Sequence, residues 1–435
     1  MIFFRVTQNI NIKATDGTLI EYLKLKNPAN LNNETLYVTT SDDFNDLKGV
    51  FASVNKTKYS AKLINEEKVR SLDDFPIELG ISNKNEHLTF EKYKRNIENN
   101  FNKNNNEITS LLQSTKKVDL FKQLKPSKNN KISLSIIGGF GDSISEMISS
   151  CSALRILYNK LREIYGTVVL DMYIKASNNS FYTRDKSIYL KQEFIHEVFP
   201  LSINTKKLCE YDYFIDTSSM KIKAYDSNKL NNIDIWLYKF GIDYEKISND
   251  LKYNELSLKH YEPSELLKNK IINAKAKGKL LLFHPYSADI NKSMPQNIAS
   301  KILKKLLLKN TDYIIVSTLN IDTKFTDDRY VNLTRDSKTF DDYIYILSNM
   351  DRIISTETST YHISDAFMIP TIVIFSKTNI EQKIKYYKHI KAIELEDESI
   401  NYSNFIFDNT DLTFYKFSSW DKLKVNKIIK LLDTF

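Results

Sequence analysis

The chain has 435 residues, 42% of them hydrophobic, and a formal net charge of +8. At roughly 100–200 residues per domain, this length implies two or three domains, each with enough apolar material for a core. Its two cysteines, Cys151 and Cys209, exclude a disulfide framework and a cysteine zinc site, and no stretch approaches the ~18 apolar residues that span a bilayer. The opening MIFFRVTQNINIK carries no cleavage-site pattern. The expectation is therefore a soluble, cytoplasmic protein, at most peripheral on the inner face of a membrane. Its basic balance permits an acidic partner, such as phosphate, anionic lipid or nucleic acid.

Taken in order, residues 1–127 read as an N-terminal α/β extension of unknown role. Within it LYVTT (36–40) has strand character, and NIENNFNKNNNEI (96–108) is an Asn-rich polar stretch. Pro126 and the polar run after it mark a boundary. The next block, 128–265, opens with the apolar ISLSII (132–137), a buried-strand signature. From Ile144 the period changes to that of a helix over 142–165, with Ile148, Cys151, Leu154 and Leu161 on one face. TVVLDMYI (167–174) reads as a strand, followed by a helix near 186–198, a strand at YFID (213–216) and a helix near 229–240. A third block, 266–418, repeats the plan. Strands are expected at 280–284, 313–318, 352–356 and 371–375, and helices at 295–309, 339–350 and 361–368. An amphipathic helix at 419–435 ends the chain. This βαβα order argues parallel sheets covered on both faces. Two doubly wound domains in tandem imply ligands at the carboxyl ends of their strands, in a cleft that the two sheets face.

Three of the nine glycines crowd into IGGFGDS (137–143), between the first strand and the first helix of the second block. Glycine there allows a tight turn and close approach of a ligand to backbone. Asp142 would cap the helix N-terminus. A dinucleotide fingerprint would need a further glycine at position 144, where isoleucine stands. The wider segment GGFGDSISEMISSCSALRIL (138–157) resembles the first loop and helix of the heptosyltransferases, glycosyltransferase family nine. Gly141-Asp142 stands at that family's Gly-Asp pair, and Ser152-Ala153-Leu154-Arg155 at its Pro-Ala-Leu-Arg-like turn. The resemblance assigns Asp142 as the base that takes a proton from an acceptor hydroxyl, with Gly139 and Gly141 shaping the loop.

Two later segments carry the same resemblance. FHPYSADINKSMP (283–295) is similar to the family's His-Pro-Gly-x-Ser strand end and Lys-x-Trp-Pro loop, through His284, Pro285, Ser287, Lys292, Ser293 and Pro295, with Met294 for the tryptophan. STETSTYHISDAFMIPTIVIF (355–375) is similar to the Asp-Thr-Gly-x-x-His segment, through Glu357, Thr358, Ser359, Thr360 and His362. Together these residues are implied to bind the diphosphate of a nucleotide-sugar donor, where a lysine, hydroxyls and helix-start N–H groups meet the developing charge. The family further implies a GT-B fold, with two Rossmann-like domains, acceptor on the first and donor on the second, and a closing helix that crosses back.

The implied activity is inverting transfer of a sugar from an ADP-heptose-like donor to a hydroxyl acceptor, such as a lipopolysaccharide core. No cofactor is expected, the nucleotide sugar being a substrate. No metal is expected either, since the chain contains no Asp-x-Asp and its histidines lack metal-ligand spacing. The basic stretch KIKYYKHIK (383–391) could meet phosphates or read as a solvated helix face. Protein and DNA remain alternative acceptors. A non-catalytic nucleotide or glycan binder, motivated by Met294, Glu357 and Ser359, and a nicotinamide-dependent oxidoreductase are the competing readings.

Overall fold

The computed structural model describes residues 1–26, 29–55, 61–80, 119–126, 129–141, 143–217, 230–257, 261–309, 312–321, 326–376, 379–395, 420 and 422–435. Asp142 and the Asn-rich 96–108 stretch lie outside them. The chain forms two compact units, Met1–Lys252 and Tyr253–Phe435. Sequence alone suggested a finer division, at 127/128, 265/266 and 418/419.

In the first unit, β1 (Ile2–Val6), β2 (Ile10–Lys13), β3 (Leu19–Tyr22), β4 (Tyr37–Thr39), β5 (Ala61–Ile64) and β6 (Ile77–Glu78) precede β7 (Lys131–Ile137). β8 (Thr167–Ile174), β9 (Glu197–Pro200), β10 (Ile203–Asn204) and β11 (Tyr213–Asp216) follow. A parallel sheet runs β6-β11-β7-β8-β9. Within it β7 is flanked by β8 and β11, and β6 from the N-terminal segment adds the outer position. A second, antiparallel sheet runs β10-β4-β1-β5. The N-terminal segment is thus woven into this unit. Phe3, Leu36, Val38 and Val69 share one core with Ile137, Tyr173, Leu201 and Phe214.

The long helix spans Ile144–Tyr165. The helix expected near 186–198 is instead Tyr182–Leu190 followed by β9, because Glu197–Pro200 pairs with Asp171–Ile174 of β8. The ladder uses backbone groups that a longer helix would have kept.

The second unit holds β12 (Lys279–His284), β13 (Tyr313–Ser317), β14 (Tyr330–Asn332), β15 (Arg352–Thr356), β16 (Thr371–Ser376) and β17 (Ile390–Leu395). All pair in parallel, in the order β14-β13-β12-β15-β16-β17. Renumbered within the unit this is 3-2-1-4-5-6, the doubly wound order. Every residue of β16 is buried, as expected for a strand covered on both faces. Helix Phe340–Ser348 starts with a capping box between Thr339 and Asp342.

The last helix is Val425–Leu432. Its Val425, Ile428 and Leu432, with Trp420, join Leu303, Leu307 and Ile374 in the core of this same unit. Each such side chain contributes about 1.5–3 kcal/mol on burial. The 383–391 stretch is not a solvated helix face: Tyr386 and Tyr387 are buried, and Ile390 opens β17. Among the described residues no helix is long and apolar enough to cross a membrane.

Candidate functional site

In an open parallel sheet the ligand crevice forms where neighbouring strands send their connections to opposite faces. In the second unit that point lies between β12 and β15, and the residues singled out from sequence gather there. β12 ends at His284 and β15 at Thr356, with Glu357 next. The loop after β12 is built by its own polar groups. The Ser287 N–H donates to Ser293 Oγ (2.9 Å), and Ser293 Oγ lies 2.8 Å from the Ser287 carbonyl and 3.1 Å from that of Asp289. Met294 anchors the loop: its N–H donates to the Pro285 carbonyl at 2.9 Å, and its side chain is in the core. Ser287 and Ser293 therefore hold the loop that presents Lys292. The Lys292 ammonium donates to Glu357 Oε1 at 2.9 Å, and Glu357 is buried.

Thr358 is the N-cap of helix Ser359–Ala366, and its side chain makes no capping hydrogen bond. Thr358 and Ser359 are half-buried, whereas Thr360 is fully buried with Oγ1 2.7 Å from the Tyr343 hydroxyl. Thr360 thus secures the helix to its neighbour. His362 lies on the buried face, its Nδ1 2.5 Å from the Tyr387 hydroxyl and its ring 4.0 Å from that of Tyr361. Burial, then the nearby Lys383 and Lys292, hold its pKa well below the ordinary imidazole value. His284 is also buried, with Nδ1 3.2 Å from Thr318 Oγ1, and burial lowers its pKa to about 4. Both histidines are neutral at neutral pH. Among the residues that the sequence singled out at this point, Lys292 carries the positive charge, held by Glu357, and the N-terminus of helix Ser359–Ala366 adds the positive end of its dipole to the potential there.

Sequence reasoning passed over Asp365, one turn beyond His362. It is buried, accepts from Asn254 Nδ2 at 3.1 Å, and burial pushes its pKa up to about 7. A carboxylate in the otherwise buried face of HISDA was the available signal.

In the first unit the equivalent point lies between β7 and β11. Gly138 and Gly141 have φ of +103° and +76°, which ordinary side chains rarely adopt. Gly139 does not, and a Cβ added to it would meet no atom within 4 Å. Phe140 pins the turn, fully buried against Tyr189, Trp236 and Phe240. Thr217, just after β11, has Oγ1 3.1 Å from the Ile137 carbonyl and 3.2 Å from that of Gly139. The helix N-cap is Ser143, whose Oγ accepts from the Glu146 N–H at 3.3 Å; the capping role expected of Asp142 falls to it.

A cavity of about 290 Å³ opens over these strand ends, lined among others by Gly139, Gly141, Lys175, Asn178, Arg184 and Thr217. Among the described residues no group of three or more His, Cys, Asp or Glu is placed to hold a metal ion.

No family profile and no curated protein matches the chain. Solved structures do. The chain is similar to ADP-heptose lipopolysaccharide heptosyltransferase II of E. coli, at 13% identity over 70% of this chain and 98% of that one, with a TM-score of 0.47. It is similar also to a glycosyl transferase family 9 structure from Veillonella parvula (12% identity, 70% and 96% covered, TM-score 0.45). A third is the dodecameric iron-containing heptosyltransferase TibC in complex with ADP-D-β-D-heptose (11%, 76% and 80%, 0.41).

Proposed function

We propose that the protein is a glycosyltransferase of the GT-B class, moving a sugar from a nucleoside-diphosphate donor to a hydroxyl acceptor with inversion. One observation carries the reading. The second unit has a 3-2-1-4-5-6 sheet, and its switch point holds Lys292 beside the N-terminus of helix Ser359–Ala366. A diphosphate placed there meets a lysine ammonium and a set of oriented N–H groups. Both interactions strengthen as the leaving group gains charge, which is what accelerates transfer.

In this reading Glu357 holds Lys292 in position until a phosphate oxygen replaces its carboxylate. His284 and His362, neutral and packed, add no charge to the site. Asp142 is the base that removes the acceptor proton, giving single displacement at the anomeric carbon. Lys292 and the helix dipole take the place of a divalent cation, so the reaction runs without a resident metal or cofactor. An ADP-heptose-like donor and a bacterial surface glycan such as lipopolysaccharide core are the proposed substrates. The enzyme would act in the cytoplasm or at the inner membrane face.

The test is a thermal-shift panel with ADP, UDP, GDP, CMP and NAD, each with and without EDTA. A ligand at 100 times its dissociation constant adds about 2.7 kcal/mol of stability. A shift with one nucleoside diphosphate that survives EDTA is expected and names the donor base. No shift, or one with NAD alone, overturns the reading in favour of a binding module or an oxidoreductase. Asp142→Ala should then abolish transfer while leaving nucleotide binding intact; retained turnover would remove Asp142 as the base.

A further inference from the structure

The first 80 residues take no part in the proposed chemistry, yet they reach the cavity of the first unit. Thr40 and Asp42, at the start of helix Ser41–Asn55, line it together with Lys175, Asn178, Phe181 and Arg184. The contact is built in depth. Buried Asp43 accepts from Thr39 Oγ1 at 2.6 Å and from Ser177 Oγ at 3.0 Å. Asp46 pairs with Lys175, and Asp16 with Lys186 at 2.8 Å. Thr15 and Thr183 share a hydroxyl–hydroxyl contact of 2.9 Å. The N-terminal segment is therefore fastened to the 175–186 stretch by polar ties spread along it, and together they wall the cavity.

The character of the lining narrows what fits. Among the described residues the charged lining groups are Lys175 and Arg184 against Asp42 and Asp185, two of each sign. Arg184 is bound to Asp185 Oδ1 through Nε (2.8 Å) and Nη2 (2.6 Å). The cavity thus offers no surplus of positive charge to an anion. It does offer carboxylate and amide groups able to hydrogen-bond hydroxyls.

Beside these lies Phe181, an aromatic side chain that is 58% exposed, with the Arg184 guanidinium 4.4 Å from its ring centroid. An exposed ring next to fixed polar groups suits a molecule with a C–H face and a rim of hydroxyls. At about 290 Å³ the space suits one sugar ring rather than a chain.

We propose that this cavity binds a neutral sugar unit of the acceptor, and that the N-terminal segment sets which sugar is accepted. The inference rests on the glycosyltransferase reading for the word acceptor, but not for the binding itself.

The experiment is saturation-transfer NMR and titration calorimetry on the full chain. The probes are methyl glucoside, methyl mannoside and methyl galactoside, the monophosphates of the same sugars, and ADP in parallel. One neutral glycoside should bind saturably, roughly tenfold or more tighter than its monophosphate. Phe181→Ala, a change at an exposed position, should weaken that sugar by roughly fivefold or more while ADP affinity stays unchanged. Asp42→Asn should alter the preference among the three glycosides.

Tighter binding of a monophosphate, binding of none of the neutral probes, or indifference to Phe181→Ala overturns the proposal. Sugar binding without ADP binding would sink the donor site and leave this inference standing. ADP binding without sugar binding would do the reverse.

Discussion

Asp365→Asn gives the sharpest test of how the second unit is assembled. Asp365 sits in the last turns of helix Ser359–Ala366, 5% exposed, and accepts from Asn254 Nδ2 at 3.1 Å. Burial raises its pKa from 3.8 to about 7, against the opposing hydrogen bonds from Asn254. The folded state therefore holds this proton more tightly than the unfolded chain does. The contribution to stability is complete below 3.8 and is lost as pH rises through about 7.

At about 1.4 kcal/mol per pH unit, a rise from 3.8 to about 7 corresponds to a cost on the order of 4 kcal/mol once the carboxylate is ionised. Asparagine keeps the shape and an acceptor oxygen for Asn254, and carries no charge. Its advantage over wild type should grow by about 2–3 kcal/mol between pH 5 and pH 8. For a unit of this size, 1 kcal/mol is worth roughly 2–4 °C, so the extra gain in Tm at pH 8 should be about 5–10 °C. Thermal unfolding of both proteins at the two pH values measures it. An equal gain at pH 5 and pH 8 would refute the argument, since it would mean that Asp365 is ionised across the range.

Three other outcomes are expected. His284, lowered to about 4 by burial, and His362, also held well below the ordinary imidazole value by burial, should show no imidazole titration between pH 6 and 7.5 by NMR. The stability from keeping them neutral is present above 6.5 and falls as pH drops below it, and the slope is cleanest in the Asp365→Asn background; a midpoint near 6.5 for His284 would contradict its burial. Glu357→Gln should tighten ADP binding several-fold by releasing Lys292, and Lys292→Ala should weaken it by roughly tenfold, about 1.4 kcal/mol; calorimetry showing neither change would take the pair out of the site. Gly141→Ala should cost about 1–2 kcal/mol in urea unfolding, because φ is +76° and the new Cβ would run into the Glu146 side chain. Gly139→Ala should stay within about 0.5 kcal/mol, and similar losses at the two positions would show that the turn is not what fixes them.

The sequence by itself determined the alternation and most of its elements. Short apolar runs rich in β-branched residues, such as TVVLDMYI and RIIST, read as buried strands, and they appear at 167–174 and 352–356 as read. The helical period from Ile144 to Tyr165 is equally local, since it is written every three or four residues. Sequence also placed His284, Lys292, Glu357 and Thr358 at strand ends and loop starts, where the 3-2-1-4-5-6 sheet then gathers them.

What each of those side chains does was decided only by packing across long separations. The Lys292–Glu357 pair joins residues 65 positions apart, and His362 is held by Tyr387 from a stretch that had read as a surface. The weaving of the N-terminal segment into the first unit also depends on tertiary structure. β6 joins β11, and β10 joins β4, through backbone hydrogen bonds that almost any residue can make. Backbone pairing of that kind leaves no mark in side-chain pattern, which is why the wall of Thr40 and Asp42 beside Arg184 becomes visible only in three dimensions.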